Sequence, residues 1–307
     1  MKVLITGGAG YVGTELTKDL VERDEVEEVI IYDNLSKHHN NFFLGKQYGR
    51  PEKVRFVQGE ILDSRLLHRQ MRKVDAVVHL AAIVTTPFAN TDPHFYEQVN
   101  HWGTAEVVYA AEALENVSKF IYLSSSSIYG SSGDQVDESS PASPQTFYGI
   151  SKLRGEEHVN RLMDIKNAII FRGGNVYGYN RSMRFDAVIN RFMFDANFSR
   201  RIKIFGTGKQ TRSFIHVTYL AKALGDALTA TVPSGTYNLV EKNLHILDIV
   251  DVLKEIYPDL EFLFNNQHMQ LRELNVVPSK KIFDYIPAIE SKSLKEELLD
   301  FRDRFAF

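Results

Sequence analysis

Lys2 to Gly13 reads KVLITGGAGYVG, and this stretch decides the fold. Its first five residues are an apolar, β-rich run, glycines follow at once, and an amphipathic stretch from Thr14 to Arg23 comes next. We expect Gly8 to permit the tight turn out of the strand, Gly10 to let the backbone approach a pyrophosphate, and Gly13 to allow close packing of the helix on the sheet. Strand, turn and helix together predict a dinucleotide site at the helix N-terminus.

A carboxylate closes the next strand. The run Glu28 to Tyr32 ends in Asp33, about twenty residues after the last glycine, where a ribose-binding carboxylate belongs. Because such a group accepts a hydrogen bond from the 2′-hydroxyl of NAD and repels the 2′-phosphate of NADP, the sequence favours NAD. The alternative is that Asp33 and Asn34 cap a turn, and the nearby Lys37 keeps that alternative open.

Apolar, β-rich runs alternate with helical patterns through the first part of the chain. Continuous apolar runs are typical of strands buried on both faces, so the pattern predicts a Rossmann-type α/β fold with a doubly wound parallel sheet. We expect an NAD-binding domain over 1–172 with a return segment at about 213–239, and a smaller, discontinuous substrate-binding domain over 173–212 and 240–307. The runs are Val3–Thr6, Val29–Tyr32, Val54–Val57, Ala76–Leu80, Phe120–Leu123 and Ala168–Phe171.

Composition excludes several classes of partner. The chain has 307 residues, a formal net charge of −3 and no cysteine. So small a charge, spread over interspersed acidic and basic residues, argues against a nucleic-acid partner. No apolar run approaches the roughly twenty residues that cross a bilayer, and a strand that begins at Lys2 leaves no room for a signal peptide, so we expect no membrane partner. The lack of cysteine fits a reducing compartment, and the expected location is cytoplasmic.

A tyrosine and a lysine share one face of a predicted helix. Tyr148 and Lys152 are four residues apart, so both side chains can meet the same ligand. A free tyrosine, with a pKa near 10, is only about one-thousandth ionised at pH 7. A neighbouring ammonium and the positive nicotinamide ring of NAD could lower that pKa by about three, which would let the phenolate take a hydroxyl proton. The serine run Ser124–Ser127 follows a strand and places hydroxyls at the same sheet edge.

Two further segments suggest partners. After Gly178 basic residues outnumber acidic ones as far as Arg212, which indicates either a solvated face or a cradle for an anionic substrate. Helical patterns at about 96–114 and about 147–163 present outward faces that could pair with a second subunit, so we expect a homodimer.

At this point the sequence resembles the extended short-chain dehydrogenase/reductases, and within them the NAD-dependent nucleotide-sugar epimerases and dehydratases. The resemblance covers nearly the whole chain, and its ordered matches are highly specific. They are Gly7–Gly13, Asp33–Leu35, Gly59–Ile61, His79–Ala82, Asn100 with Gly103 and Thr104, Ser124–Ser127, Tyr148–Lys152, Asn175–Gly178 and Arg212–Val217.

The resemblance also implies roles for individual residues. Tyr148 would be the catalytic acid/base, Lys152 would hold the ribose and tune the tyrosine, and Ser125 would be the catalytic hydroxyl, with Ser124 as the fallback. Glu60 stands in place of the family's usual aspartate. The implied NAD-binding residues are Gly7, Gly10, Tyr11, Val12, Asp33, Asn34, Glu60, Ile61, Leu80, Ala81, Ala82, Asn100, Ser124, Tyr148 and Lys152. Those implied to bind a nucleotide-diphosphate sugar are Ser126, Asn175 and Arg212, with an internal salt bridge as the alternative for Arg212.

The residues after Ser125 bear on the reaction. Family dehydratases and decarboxylases carry acidic residues there, because losing water or carbon dioxide needs further acid/base groups; this chain has Ser126 and Ser127. This disfavours dehydration and decarboxylation. Because Asp33 favours NAD, which an epimerase recycles within each turnover, we expect an epimerase that oxidises a sugar hydroxyl to a ketone and reduces it again. An NAD(P)H-dependent ketoreductase and a non-catalytic NAD-binding sensor are the alternatives.

Other residues show how the pocket departs from relatives and why no metal is expected. Gly173–Gly174 and Ile83–Val84 differ from related epimerases and point to an unusual substrate pocket. His38, His39 and His79 show no metal-ligand spacing with one another, so we expect no metal.

Overall fold

A computed structural model describes residues 1–37, 40–44, 48–84, 92–265 and 273–307. Within these ranges no helix combines the length and apolar character needed to span a bilayer. The strands are β1 Lys2–Thr6, β2 Glu28–Asp33, β3 Val54–Gln58, β4 Ala76–His79, β5 Lys119–Ser125, β6 Gln135–Val136, β7 Asn167–Gly173, β8 Asn175–Tyr177, β9 Arg201–Phe205, β10 Thr211–His216, β11 Gly235–Leu239, β12 Lys242–His245, β13 Glu261–Asn265 and β14 Asn275–Val276. The α-helices are α1 Tyr11–Glu22, α2 Ser64–Met71, α3 Pro93–Tyr96, α4 Gly103–Ala113, α5 Phe147–Leu162, α6 Val188–Ser199, α7 Val217–Thr229, α8 Ile246–Ile256 and α9 Leu294–Arg302.

The large sheet is parallel and doubly wound. Among the described residues its strand order is β11-β7-β5-β4-β1-β2-β3, and each neighbouring pair is parallel. The chain runs outward through β2 and β3 and returns to the other side of β1 with β4, so the order reverses there, as at the ligand-binding switch point of such folds. The predicted Rossmann-type α/β fold is confirmed, and the six predicted strands differ from the observed ones by at most two residues at an end.

Helices cover both faces of this sheet. Val3 and Ile5 of β1 lie in the core formed with α1 and α7, beside Leu16 and Leu224. Leu4, between them in sequence, lies in the core on the opposite face, formed with α2, α4 and α5. Adjacent strand residues point to opposite faces, so a strand buried on both must be apolar throughout, as β1 is.

The C-terminal elements form a second, smaller core. It packs α6, α8 and α9 around short sheets in which β10 pairs with β12 and β8, and β9 pairs with β13. Phe214, inside the predicted return segment, belongs to this second core, whereas β11 from the same segment completes the large sheet. The domain boundaries drawn from the sequence stay a prediction.

The two helical segments expected near the site differ in regularity. The stretch predicted as one helix over 96–114 comprises α3, a π-helical segment at Glu97–Trp102 and α4. The other, predicted over 147–163, is the regular helix α5, capped by the Thr146 hydroxyl, which accepts a hydrogen bond from the Gly149 amide at 3.1 Å. A π segment inside a helix commonly marks a functional region, and here it carries Asn100.

A buried histidine joins the sheet to α4. His79 is 0% exposed; its Nδ1 lies 2.6 Å from the Thr6 hydroxyl and its Nε2 lies 2.9 Å from the Thr104 hydroxyl. Burial lowers the pKa of His79 to about 3. The imidazole therefore stays neutral in the folded protein at pH values where an unfolded chain would protonate it.

This predicts a pH-dependent stability. The pKa of His79 is lower in the folded state than the value of about 6.5 in the unfolded state, so the unfolded state binds more protons as the pH falls. Below the unfolded pKa, His79 therefore lowers the free energy of unfolding by up to about 1.4 kcal/mol per pH unit. Between about pH 6.5 and about pH 5, wild type should lose about 1.6 kcal/mol more than His79→Gln, measured by urea unfolding. His94→Gln, at an exposed histidine, is the control. Equal losses in wild type and His79→Gln would show that His79 is not held neutral.

Candidate active site

A cavity of about 990 Å³ lies at the carboxyl edge of the large sheet, where β1, β2, β4, β5 and β7 end. This is the edge at which doubly wound folds bind ligands. The volume is at the upper end of the roughly 300–1,000 Å³ typical of ligand pockets. Its wall contains every predicted site residue except Asn100.

The turn after β1 forms the floor of the cavity. Gly7 has a φ of +69°, and a Cβ added there would lie 2.6 Å from the Ala81 amide nitrogen. The tight turn therefore depends on Gly7, and the prediction that Gly8 serves this purpose is wrong. A Cβ on Gly8 would instead lie 2.9 Å from Cγ2 of Ile31, so Gly8 provides room for the core.

The first turn of α1 fits an anionic group. Gly10 is the N-cap of α1 and has no side chain to occupy the first-turn amides, which are available to a ligand. Tyr11 and Val12 follow it into the cavity wall. The Tyr11 hydroxyl donates to the Gly178 carbonyl and accepts a hydrogen bond from Asn190 at 3.3 Å, which ties the glycine turn to the C-terminal elements.

Asp33 supports the turn as well as lining the cavity. One carboxylate oxygen accepts a hydrogen bond from the Ala9 amide at 3.1 Å and the other accepts from Leu35 at 2.8 Å. The turn-capping alternative therefore describes real hydrogen bonds. A carboxylate oxygen can accept more than one hydrogen bond, so these amide contacts are compatible with a role of Asp33 at a ribose hydroxyl.

The neighbouring wall has the polar and apolar surfaces that an adenosine needs. Asn34 donates to a Glu60 carboxylate oxygen at 2.9 Å, which fixes both side chains at the end of β2 and β3. Ile61 adds an apolar surface beside them, and Leu80, Ala81 and Ala82 line the path from there to β5. Together with the glycine cradle, these residues fit a dinucleotide.

Ser125, Tyr148 and Lys152 meet at the end of β5. The Ser125 hydroxyl lies close enough to the Tyr148 side chain to favour its phenolate form. The Lys152 ammonium donates to the Leu123 carbonyl at 2.7 Å and lies 4.5 Å from the centroid of the Tyr122 ring. Lys152 is 3% exposed, so its charge is held in a nearly dry environment.

Burial dominates the ionisation of this group. It raises the pKa of Tyr148 above its ordinary value, although the Ser125 hydrogen bond and the positive charge of Arg184 both act to lower it. Burial also lowers the pKa of Lys152 to about 7, against the opposing charge of Glu156. The chain's own groups therefore do not lower the pKa of Tyr148 towards 7. The lower pKa expected from the sequence depends on the positive nicotinamide ring of NAD.

Three predicted residues have contacts that the sequence did not reveal. Ser124 donates to Glu156 at 2.5 Å, which supports Ser125 rather than Ser124 as the reactive hydroxyl. Asn100 is 0% exposed; its side chain accepts a hydrogen bond from the Ile83 amide at 2.7 Å and donates one to the Ile83 carbonyl at 2.9 Å. It therefore shapes the cavity through Ile83. Asn175 lines the cavity and donates to the Ser213 carbonyl at 2.9 Å.

The substrate end of the cavity is basic. In the part of the wall that the structure describes beyond β7, four basic side chains face one acidic one, Asp186, which accepts a hydrogen bond from Arg184 at 2.6 Å. Other members of the basic segment turn elsewhere: Arg201 pairs with Glu261 at 2.7 Å on the surface. The four basic residues are Arg184, Arg191, Lys203 and Arg212. Of these four, the sequence predicts only Arg212 as an individual site residue; the excess of positive charge is the signal that indicates the others.

Among the described residues no group of three or more histidine or acidic side chains has the geometry of a metal site. His38 and His39, which also entered the expectation that no metal is bound, lie outside the described residues. His79 is enclosed by Thr6 and Thr104.

Residues 3–239 match the sequence model of the NAD dependent epimerase/dehydratase family, and the chain belongs to this family. Human dTDP-D-glucose 4,6-dehydratase is 31% identical over 260 residues, which cover 83% of this chain and 73% of that protein. The uncharacterized UDP-glucose epimerase YtcB of Bacillus subtilis is 29% identical over 278 residues, covering 83% and 82%. The UDP-glucuronic acid 4-epimerase of Bacillus cereus, solved with UDP-glucuronic acid and NAD, superimposes with a TM-score of 0.87 at 24% identity over 99% and 98% of the two chains.

These findings confirm the resemblance drawn from the sequence. The chain is an enzyme of the extended short-chain dehydrogenase/reductases, NAD is its cofactor, and nucleotide-sugar epimerases and dehydratases are its relatives. The predicted nucleotide-sugar epimerase is thus confirmed at the level of the family.

Proposed function

We propose that the chain is an NAD-dependent nucleotide-sugar epimerase that inverts one carbinol centre by oxidation and re-reduction. The observation that carries this proposal is the meeting of Ser125, Tyr148 and Lys152 in a cavity whose other end has the glycine turn and polar wall that fit a dinucleotide. Bound NAD would supply the acceptor, and later the donor, of the hydride.

Each residue of the trio has a separate task. Ser125 hydrogen-bonds the reacting oxygen and orients Tyr148. Tyr148 takes the proton of the sugar hydroxyl as the hydride leaves the same carbon, and gives the proton back when the hydride returns to the opposite face of the ketone. Lys152 would hold the ribose of bound NAD, and its positive charge would stabilise the phenolate. Proton and hydride are both restored, so the product is an isomer of the substrate.

The surroundings of Tyr148 support epimerisation over elimination. Removing water or carbon dioxide requires an additional acid or base beside the reacting carbon. The two residues after Ser125 are Ser126, which is buried at 3% exposure, and Ser127. The carboxylate at the substrate end of the described wall, Asp186, is already paired with Arg184.

The basic end of the cavity supports a nucleotide-diphosphate sugar as substrate. Guanidinium groups bind phosphate oxygens in a rigid, two-pronged geometry, and Arg212 and Arg191 are placed for this. Asn175 adds an amide for a phosphate or sugar oxygen. Related structures contain UDP-glucuronic acid, and in another case UDP-N-acetylmuramic acid, which makes UDP-sugars the first compounds to test.

The assay incubates the protein with NAD and a panel of UDP- and dTDP-sugars, and follows products by mass and proton NMR. We expect an isomer of unchanged mass. Loss of water or carbon dioxide would identify a dehydratase or decarboxylase, and stoichiometric consumption of NADH or NADPH would identify a ketoreductase; either result would contradict the proposal.

Tyr148→Phe tests the acid/base role. It should lower kcat by about 10²–10⁴-fold, the usual contribution of a positioned proton-transfer group, and should leave NAD affinity close to wild type. Tyr285→Phe, at a half-exposed tyrosine outside the cavity wall, is the matched control. Undiminished turnover by Tyr148→Phe would remove Tyr148 from the mechanism.

We also propose a homodimer formed through the two helical segments near 96–114 and 147–163. Large aromatic side chains on these segments are exposed: Trp102 by 53%, Tyr109 by 43% and Phe147 by 39%. Burying such residues against a second copy would supply the apolar centre that stable interfaces have. The cytoplasmic location stays a prediction.

Light scattering should give wild type twice the chain mass of 35.1 kDa. Tyr109→Glu places a charge in the proposed interface and should shift the mass towards the monomer. Leu263→Glu, at a residue 51% exposed on β13, should remain dimeric. A monomeric wild type, or a dimer untouched by Tyr109→Glu, would refute this interface.

A further inference from the structure

A buried ion pair stands directly behind the reactive trio. Glu156 is 1% exposed and lies one helical turn beyond Lys152 on α5, on the same face as Tyr148. Its two carboxylate oxygens accept hydrogen bonds from Arg172 of β7, at 3.1 Å from Nε and 2.8 Å from Nη2. The Ser124 hydroxyl adds a third hydrogen bond at 2.5 Å. The carboxylate is thereby fixed in place from two strands.

Lys152 needs a counter-charge. It is almost fully buried, and burial alone drives an ammonium towards its neutral form. Among the described residues its polar contacts are the Leu123 carbonyl and the face of the Tyr122 ring, neither of which carries a net charge. A neutral amine there could not stabilise a phenolate at Tyr148.

The other titratable groups around Lys152 do not provide that charge. His79 on β4 is held neutral, with its pKa lowered to about 3 by burial. Tyr122 on β5 and Tyr148 on α5 have their pKa values raised by burial and remain phenols. Arg172 on β7 is a cation. Among the described residues it is Glu156 whose charge opposes the effect of burial on Lys152.

The partner of Glu156 is anchored independently of it. Arg172 also donates to the Tyr129 hydroxyl at 2.9 Å, and that hydroxyl donates to the Asn238 side chain at 2.7 Å. The guanidinium lies 5.1 Å from the Tyr129 ring centroid. These contacts hold the arginine at the end of β7, so the carboxylate is fixed between Arg172 and Ser124, one helical turn from Lys152.

We propose that Glu156 is a positioning residue whose fixed carboxylate keeps Lys152 in its ammonium form beside Tyr148. Glu156 is not part of the described cavity wall, so its role is to act through Lys152. This inference rests on the function proposed above, because it explains how that enzyme keeps its lysine charged near neutral pH.

The test observes Lys152 directly and needs neither substrate nor cofactor. Protein labelled with ¹³C at lysine Cε is titrated by NMR, and the Lys152 signal is assigned as the one missing from Lys152→Met. In Glu156→Gln the midpoint should fall by about one pH unit or more relative to wild type, the usual effect of losing a close opposite charge. Glu157→Gln removes the same charge from the next, exposed position and should leave the midpoint unchanged.

Glu156→Gln leaves the buried Arg172 without its carboxylate, which destabilises a fold. The double variant Glu156→Gln, Arg172→Met removes both charges, so its matched reference is Arg172→Met, from which it differs only by the carboxylate; its Lys152 midpoint should be lower than in that reference. A midpoint within about 0.3 pH units of the reference, wild type for Glu156→Gln and Arg172→Met for the double variant, would overturn the proposal and leave the pair a purely structural one.

Turnover provides a second readout that separates the two proposals. If Lys152 must be charged, the alkaline limb of kcat/KM against pH should move to lower pH in Glu156→Gln and not in Glu157→Gln. A chain that turns over no nucleotide sugar refutes the proposed function while the NMR midpoint still decides the role of Glu156. An active enzyme with an unmoved midpoint refutes only the role of Glu156.

Discussion

The site depends on backbone packing against backbone where β1 and β4 end. Gly7 adopts a left-handed φ and lies so close to Ala81 that a single methyl group would collide with the main chain. This contact brings the turn, the start of α1 and the end of β4 into one cavity wall. Asp33 then holds the turn through the Ala9 amide. The parallel sheet adds the ends of β5 and β7, and with them Ser125 and the Arg172 network.

Burial is the second organising constraint. The same dry environment that excludes water from a hydride transfer also penalises charge, and it opposes both a charged Lys152 and an ionised Tyr148. Two charges of the chain oppose this effect of burial: the Glu156 carboxylate raises the pKa of Lys152, and the Arg184 guanidinium lowers the pKa of Tyr148. A cationic nicotinamide would add to the latter effect.

Much of the fold was predictable because it follows from short-range patterns. Apolar runs and glycine spacing predict the central strands and the turn that fits a dinucleotide. Tyr148 and Lys152 share a helix face because they are four residues apart. Tertiary contacts were not predictable in this way. Whether Gly7 or Gly8 makes the turn depends on what lies opposite each of them, Ala81 or Ile31.

The same limit applies to side chains that work at a distance. Asn100 supports the backbone of Ile83, which is distant from it in the sequence. The π segment and the end of β4 bring the two residues together. Glu156 and Arg172 come from a helix and a strand that meet through the sheet. Arg184 was visible only as one member of a basic segment, and the fold decides that it faces the cavity while Arg201 pairs on the surface.

An epimerase returns its hydride in every turnover and has no need to release its cofactor, and a carboxylate at Asp33 selects against the 2′-phosphate. The most direct measurement is therefore to purify the protein without added cofactor, denature it, and identify the released dinucleotide by chromatography and mass. Near-stoichiometric NAD is the predicted result. A protein that emerges empty and then binds NADPH in preference to NAD would contradict both the assignment of Asp33 and a closed redox cycle on one bound cofactor.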